Sequence, residues 1–191
     1  MADVGTGIRY AYSSMSVRRT LIIYGLFVFF TVPAGYLSGL LVSRVFGDTY
    51  WYLTAVELVG FGGMMLGGLL VSIWGGFKSH RLTLTTGLAI FGIMAIGMGI
   101  SSHFILYLVL MALYGVALTT VQTTITTMLQ ENTETSMQGR VFGLMSSLYS
   151  SCYPMGMVLF GPLADFVPLQ WIIVFSGIVF IMVSGVAYKI S

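Results

Sequence analysis

The chain has 191 residues, of which 57% are hydrophobic and only 7% charged. Soluble domains carry about 25% charged residues, so this chain cannot clothe a water-facing surface, and the bilayer is left as the solvent for its apolar side chains. A net charge of +2 does not point to nucleic acid, and a single cysteine, Cys152, excludes an intrachain disulfide.

A helix needs about 20 apolar residues to cross the hydrocarbon core. Six runs have that length: roughly 21–42, 49–74, 82–100, 104–129, 141–163 and 171–188. Backbone polar groups cannot stay open in lipid, so each run is read as a helix. Barrel strands would alternate apolar and polar residues, and these runs do not. The fold class expected is an all-α polytopic membrane protein. Residues 1–20 are read as a cytoplasmic linker and 21–191 as a six-helix transmembrane domain. If the six spans alternate, Arg9, Arg18, Arg19, Lys78, Arg81, Arg140 and Lys189 fall on one side and Arg44 alone on the other. Positive residues concentrate on the cytoplasmic face, so both termini are expected there. Tyr50, Trp51, Tyr52 and Trp171 then lie at the outer interface, where amphipathic rings collect.

Along the chain, the first span carries Pro33, which removes a backbone donor. It reads either as a gating bend or as a fixed one. The second span, TAVELVGFGGMMLGGLLVSIW, holds one acid, Glu57. Counted from Thr49, it lies ~12 Å into a core about 30 Å thick. No Lys or Arg falls at membrane depth in any span, so an ionised carboxylate is costly there, and the neutral form is expected at rest. Helical spacing places Tyr50, Thr54, Glu57, Phe61, Met64 and Gly68 on one face. That face suits a lipophilic cation or a proton-exchange site; the alternative is a protonated glutamate bonded to a neighbouring helix. Gly63 and Gly67 form a small-xxx-small step on another face and read as helix packing.

In the fourth span, Gln122 shares a face with Met111, Gly115, Thr119 and Thr126. It reads as a cavity-lining residue or as an interhelical hydrogen bond. The threonines toward the cytoplasmic end read as bonding to their own backbone one turn back. Arg140 opens the fifth span, where a cation opposes the helix macrodipole. A compensating anion is expected, a carboxylate such as Glu131 or Glu134 or a lipid phosphate, in a structural or gating contact. Further along, Ser147, Ser151 and Pro154 share a face and read as a kink, either gating or fixed. His80 and His103 are expected in solvated loops at opposite faces.

A weak echo joins the two halves of the six spans. Gly60, Gly62, Gly63, Gly67 and Gly68 mark the second span, and Pro154, Gly156, Gly161 and Pro162 mark the fifth. Interrupted segments at matching places point to a 3+3 inverted repeat. Four stretches then carry a resemblance: GIRYAYSSMSVRRTL, ELVGFGGMMLGGLLVSIWGGFK, QENTETSMQGRVFGLMSSLYSS and YPMGMVLFGPLADF. Together they resemble the C-terminal six-helix half of a major facilitator superfamily transporter, in the branch of macrolide efflux proteins and the enterobactin exporter. The first stretch resembles the end of the central loop and helix seven, the second helix eight, the third the loop into helix eleven, the last helix eleven. Such transporters have twelve spans, so the resemblance implies a missing N-terminal half. The acid of the superfamily's loop signature has its place taken here by Ser72, followed by Gly75 and Lys78.

The resemblance implies a proton-coupled secondary exporter of amphipathic small molecules, of drug, macrolide or siderophore type, in the bacterial inner membrane. Its expected partners are the lipid bilayer, the small-molecule substrate, and the missing half or a second copy; no cofactor and no metal are expected. Glu57, Phe61, Met64 and Gln122 are the candidates for substrate or proton coupling. Pro33, Ser151, Pro154 and Arg140 are those for gating. A six-span channel or scaffold is the rival reading. An intramembrane enzyme is weaker: serine chemistry needs a histidine at membrane depth, aspartyl chemistry a second carboxyl, and zinc chemistry an HExxH cluster.

Overall fold

A computed structural model describes residues 2–47, 49–77 and 79–190, and within these the side chains from 7 to 188. Eight helices and no strands occur among the described residues: α1 (Ala2–Ser13), α2 (Met15–Gly35), α3 (Ser38–Val45), α4 (Tyr50–Trp74), α5 (His80–Ile100), α6 (Phe104–Glu131), α7 (Gln138–Phe166) and α8 (Leu169–Ile190). Lys78 and Asp48 lie outside the described residues.

Five stretches are long and apolar enough to cross a membrane: Met15–Val45, Tyr50–Trp74, His80–Ile100, Phe104–Glu131 and Leu169–Tyr188. Six were expected. The remaining run is α7, a continuous helix of 29 residues that is long enough but less apolar. Ser146, Ser147, Ser150, Ser151, Pro154 and Pro162 lower its hydropathy. The first span is also not one helix. Pro33 cannot donate to the Phe29 carbonyl, α2 ends at Gly35, and the N–H groups of Tyr36 and Leu37 both donate to Val32 O at 2.8 and 3.3 Å. After that widened turn, in which Leu37 bonds five residues back, the chain resumes as α3.

Close approaches fix the helix directions. Gly25 meets Leu148 and Cys152, and Gly156 meets Val32, so α2 and α7 run parallel. Gly60 meets Met111 and Gly67 meets Val116, so α4 and α6 run parallel. Gly99 meets Gln170 and Gly92 meets Gly177, so α5 and α8 run antiparallel. The helices form two layers. In front stand α2, α4, α6 and α7; behind them α5 packs closely against α8.

A ring cluster pins the layers together. Phe91 of α5 is fully buried. Its ring lies 4.2 Å from Tyr114, 4.7 Å from Phe180 and 5.3 Å from Phe27. Tilted and edge-on pairs of this kind add about 0.5–1.5 kcal/mol each beyond area burial.

Each end of the bundle carries a polar contact between two helices. At one end, Arg44 of α3 reaches α7, with Nη1 donating to Ala164 O at 2.6 Å and Nη2 to Asp165 Oδ1 at 3.1 Å. At the other, His80 Nε2 lies 3.2 Å from Glu131 Oε1. His80 is therefore not simply solvated: it opens α5, where α6 ends beside it. At that same end Gly75 and Gly76, at φ 69° and 83°, stop α4 in the left-handed region that glycine tolerates best.

Candidate functional site

The front layer encloses a cavity of about 870 Å3 between α2, the start of α3, α4, α6 and α7. From α4 it takes Glu57, Phe61 and Met64 at positions i, i+4 and i+7, the stripe that a 3.6-residue period puts on one face. Tyr50, Thr54 and Gly68 of the expected face do not line it. Another stripe, Met111, Gly115, Thr119 and Gln122, comes from α6. Thr126, one turn further on, does not reach it and bonds back to Gln122 O at 2.9 Å.

Glu57 carries the only formal charge among the described lining residues. It is exposed and forms no ion pair with any described residue. Gln122 Nε2 donates to Tyr24 Oη at 3.5 Å, a long bond joining α6 to α2. Tyr114 Oη donates to Thr31 O at 3.4 Å across the same pair of helices.

Tyr36, Tyr114, Tyr149 and Tyr153 also line the cavity, and no sequence argument singled them out. The rings of Tyr149 and Tyr153 stack at 5.5 Å with 13° between their planes. Their i, i+4 spacing on α7 was the available signal. It sits on the face opposite the serines, which drew the attention instead.

The expected packing residues lie at the back of the α4–α6 seam. A Cβ on Gly63 would overlap the Ala112 carbonyl oxygen, and one on Gly67 would come within 2.8 Å of Val116 O. Thr119 Oγ1 lies 3.2 Å from both Met64 O and Gly115 O, fastening the helices beside the cavity.

The gating candidates do not gather at the cavity. Pro33 is buried at the end of α2, and Pro154 is exposed within an unbroken α7. Ser151 faces a separate groove on the other side of α7. Arg140 starts α7 beside α1, where a Cβ on Gly7 would lie 3.1 Å from the Arg140 Cβ. Glu131, one of its expected partners, pairs with His80 instead. The loop before Arg140 is held by the Glu134 N–H donating to Tyr10 Oη at 3.2 Å and by Gln138 Nε2 donating to Gln130 O at 3.1 Å. Among the described residues no cluster of His, Cys, Asp and Glu has metal-binding geometry.

No family model matches the chain. Three known proteins show its kinship. Macrolide efflux protein A of Streptococcus pyogenes is 27% identical over 173 residues, covering 90% of this chain and 43% of that protein. Its Enterococcus faecalis namesake is 27% identical over 139 residues, covering 72% of this chain and 43% of that protein. The multidrug efflux pump Tap of Mycolicibacterium fortuitum is 28% identical over 174 residues, covering 86% of this chain and 40% of that protein. The chain thus spans about two-fifths of the length of these curated relatives. All three names describe transporters. Over most of its length, this helical chain is similar to the macrolide and multidrug efflux transporters, the branch its loop and glycine motifs resemble.

Proposed function

We propose that this chain is the C-terminal half of a proton-coupled secondary exporter of amphipathic small molecules. It crosses the bacterial inner membrane six times, with α7 as the fifth span in chain order and both termini in the cytoplasm. The observation that carries the reading is the cavity: aromatic and thioether walls around one carboxylate, with no Lys, Arg or His among the described lining residues. A large, mostly apolar concavity with a few convergent polar groups is what an amphipathic ligand needs. An acid at membrane depth is a functional group by default. The parallel pairs α2–α7 and α4–α6 support the alternation of six spans and a 3+3 repeat. The α7 serines do not bar it from the bilayer: Ser147 Oγ donates to Gly143 O one turn back at 2.9 Å, which satisfies the hydroxyl within its own helix. The remaining length of the relatives supports a missing facing half, against which this one would rock.

Glu57 is the coupling residue in this reading. It is the one carboxylate the described cavity lining offers to a proton or a cationic substrate. The test is flux of a lipophilic cationic dye into proteoliposomes under an imposed pH gradient. The chain alone is expected to show none, and co-reconstitution with an N-terminal half is expected to restore it. Glu57→Gln should then abolish gradient-driven flux while leaving insertion intact, and Glu57→Asp should keep part of it. Flux by Glu57→Gln equal to the unmodified protein would reduce Glu57 to a packed hydrogen-bonding residue. Robust flux from the chain alone would favour a transporter built from two copies.

A further inference from the structure

A second concavity, a groove of about 530 Å3, lies between α1, α2 and α7. Its walls are apolar: Ile8 and Tyr12 from α1, Leu21 and Ile22 from α2, Leu144 and Leu148 from α7. Gly25 forms its floor, with Leu148 and Cys152 each 3.8 Å from where a Cβ would sit. At its mouth is Arg18, the only formal charge among the described lining residues. The Arg18 Nη1 donates to Tyr12 O at 3.5 Å, a long contact from α2 to the last turn of α1.

The groove and the cavity lie on opposite sides of the α2–α7 seam. On α7 the groove takes Ser147 and Ser151, while the cavity takes Tyr149 and Tyr153. Two residues along a helix turn the side chain by about 200°, so these faces point roughly 160° apart. If the cavity faces the transport pathway, the groove faces out of it, toward the membrane. This step rests on reading α2 and α7 as membrane spans.

We propose that the groove is a binding site for an anionic phospholipid of the cytoplasmic leaflet. One acyl chain lies along Leu21, Ile22, Gly25 and Leu148, and the phosphate sits on Arg18. Charge complementarity selects this occupant. The first five residues of α2 include Arg18 and Arg19, with no acid in the first turn, and the positive end of the helix macrodipole adds to that field. Arg9 on α1 stands at the same end of the bundle. Juxtamembrane basic residues attract anionic lipid by a few-fold per residue. The apolar part of the groove starts within one turn of Arg18, which is the spacing of a headgroup above its chain. A lipid seated there touches α2 and α7 together, so it braces the two helices whose other faces line the cavity.

The experiment is native mass spectrometry of the purified chain titrated with phosphatidylglycerol and, separately, with phosphatidylcholine. One phosphatidylglycerol is expected to bind about fivefold more tightly than phosphatidylcholine. Arg18→Gln should remove that preference, while Arg81→Gln, at the same end of the bundle but outside the groove, should keep it. A preference unchanged in Arg18→Gln, or lost equally in Arg81→Gln, overturns the site. Competition by inorganic phosphate alone, at the affinity of the lipid, overturns the acyl contact.

Should Arg18→Gln fail to fold, the Tyr12→Trp chain, with Arg18 intact, gives a second measurement. Phosphatidylglycerol brominated on its chains should quench the added tryptophan fluorescence more than brominated phosphatidylcholine does, at equal mole fraction. Equal quenching overturns the proposal. Neither measurement involves transport, so failure here leaves the exporter reading standing, and failure of export leaves this site to be judged by its own data.

Discussion

The two parallel helix pairs of the front layer are built in opposite ways. Along α4–α6 the contact is backbone against backbone: Gly63 against Ala112, Gly67 against Val116, Gly115 against Gly60 and Met64. Along α2–α7 Gly156 makes one such approach, but Pro33 and Pro154 remove donors, and α2 breaks at Tyr36. Small residues let membrane helices pack by van der Waals contact, which is the main force left to them in lipid. Prolines leave carbonyls that a small rotation can expose or cover. The difference teaches that one cavity wall can be sealed backbone against backbone while the other is interrupted by proline. Glu57 rides on the sealed side and the stacked tyrosines on the interrupted one.

The strongest way to break this contrast is Gly63→Val. No rotamer relieves an overlap that begins at Cβ, so α4 and α6 must separate. Overpacking of this kind costs typically 1–3 kcal/mol and more when backbone must move. We expect a large fall in thermal unfolding temperature, or no folded protein. Gly62→Ala, one residue away with nothing within 4 Å of its Cβ position, should stay within about 0.5 kcal/mol of the parent. Equal losses at both positions would mean that the helices do not meet as described.

Pro33→Ala sharpens the other side. It restores a donor that Phe29 O lacks, and should leave the unfolding temperature equal or slightly raised. Under the proposed exporter reading, export after reconstitution with an N-terminal half should fall severalfold if the break between α2 and α3 is a working hinge. Unchanged export with raised stability would mark it as a fixed bend.

Arg44→Gln is the mildest probe. Its ion pair with Asp165 is largely exposed, and such pairs contribute about 0.2–1 kcal/mol. Its bond to Ala164 O is the better part, because it satisfies a carbonyl in the last turn of α7. A small destabilisation is expected, reduced but not erased by salt. Complete loss of the effect at high salt would show that only the ion pair mattered.

What was legible in the sequence follows from periodicity. Glu57, Phe61 and Met64 share a face because helical spacing says so, and the same spacing groups Met111, Gly115, Thr119 and Gln122. That these two stripes meet across one cavity is a tertiary fact, carried by glycine contacts between residues about fifty positions apart. The tyrosines of α7 escaped because Ser147, Ser151 and Pro154 looked more unusual in an apolar run. His80–Glu131 and Arg44–Asp165 escaped for the opposite reason: each residue looked ordinary, and the pairing depends on which helix ends come together. Pro33 announced a break but not its position three residues later.

Phe27 lines the cavity and also belongs to the buried ring cluster, 5.3 Å from Phe91 and 5.8 Å from Phe180. Its ring is thus a partition with a binding space on one side and the rear helices on the other. Anything that enters and tilts this ring must shift the magnetic shielding of Phe91 and Phe180, which no ligand can touch directly. A fluorine label on those two buried rings would therefore report occupancy of the cavity from behind the wall, a spectroscopic signal at a place where the probe cannot obstruct whatever binds.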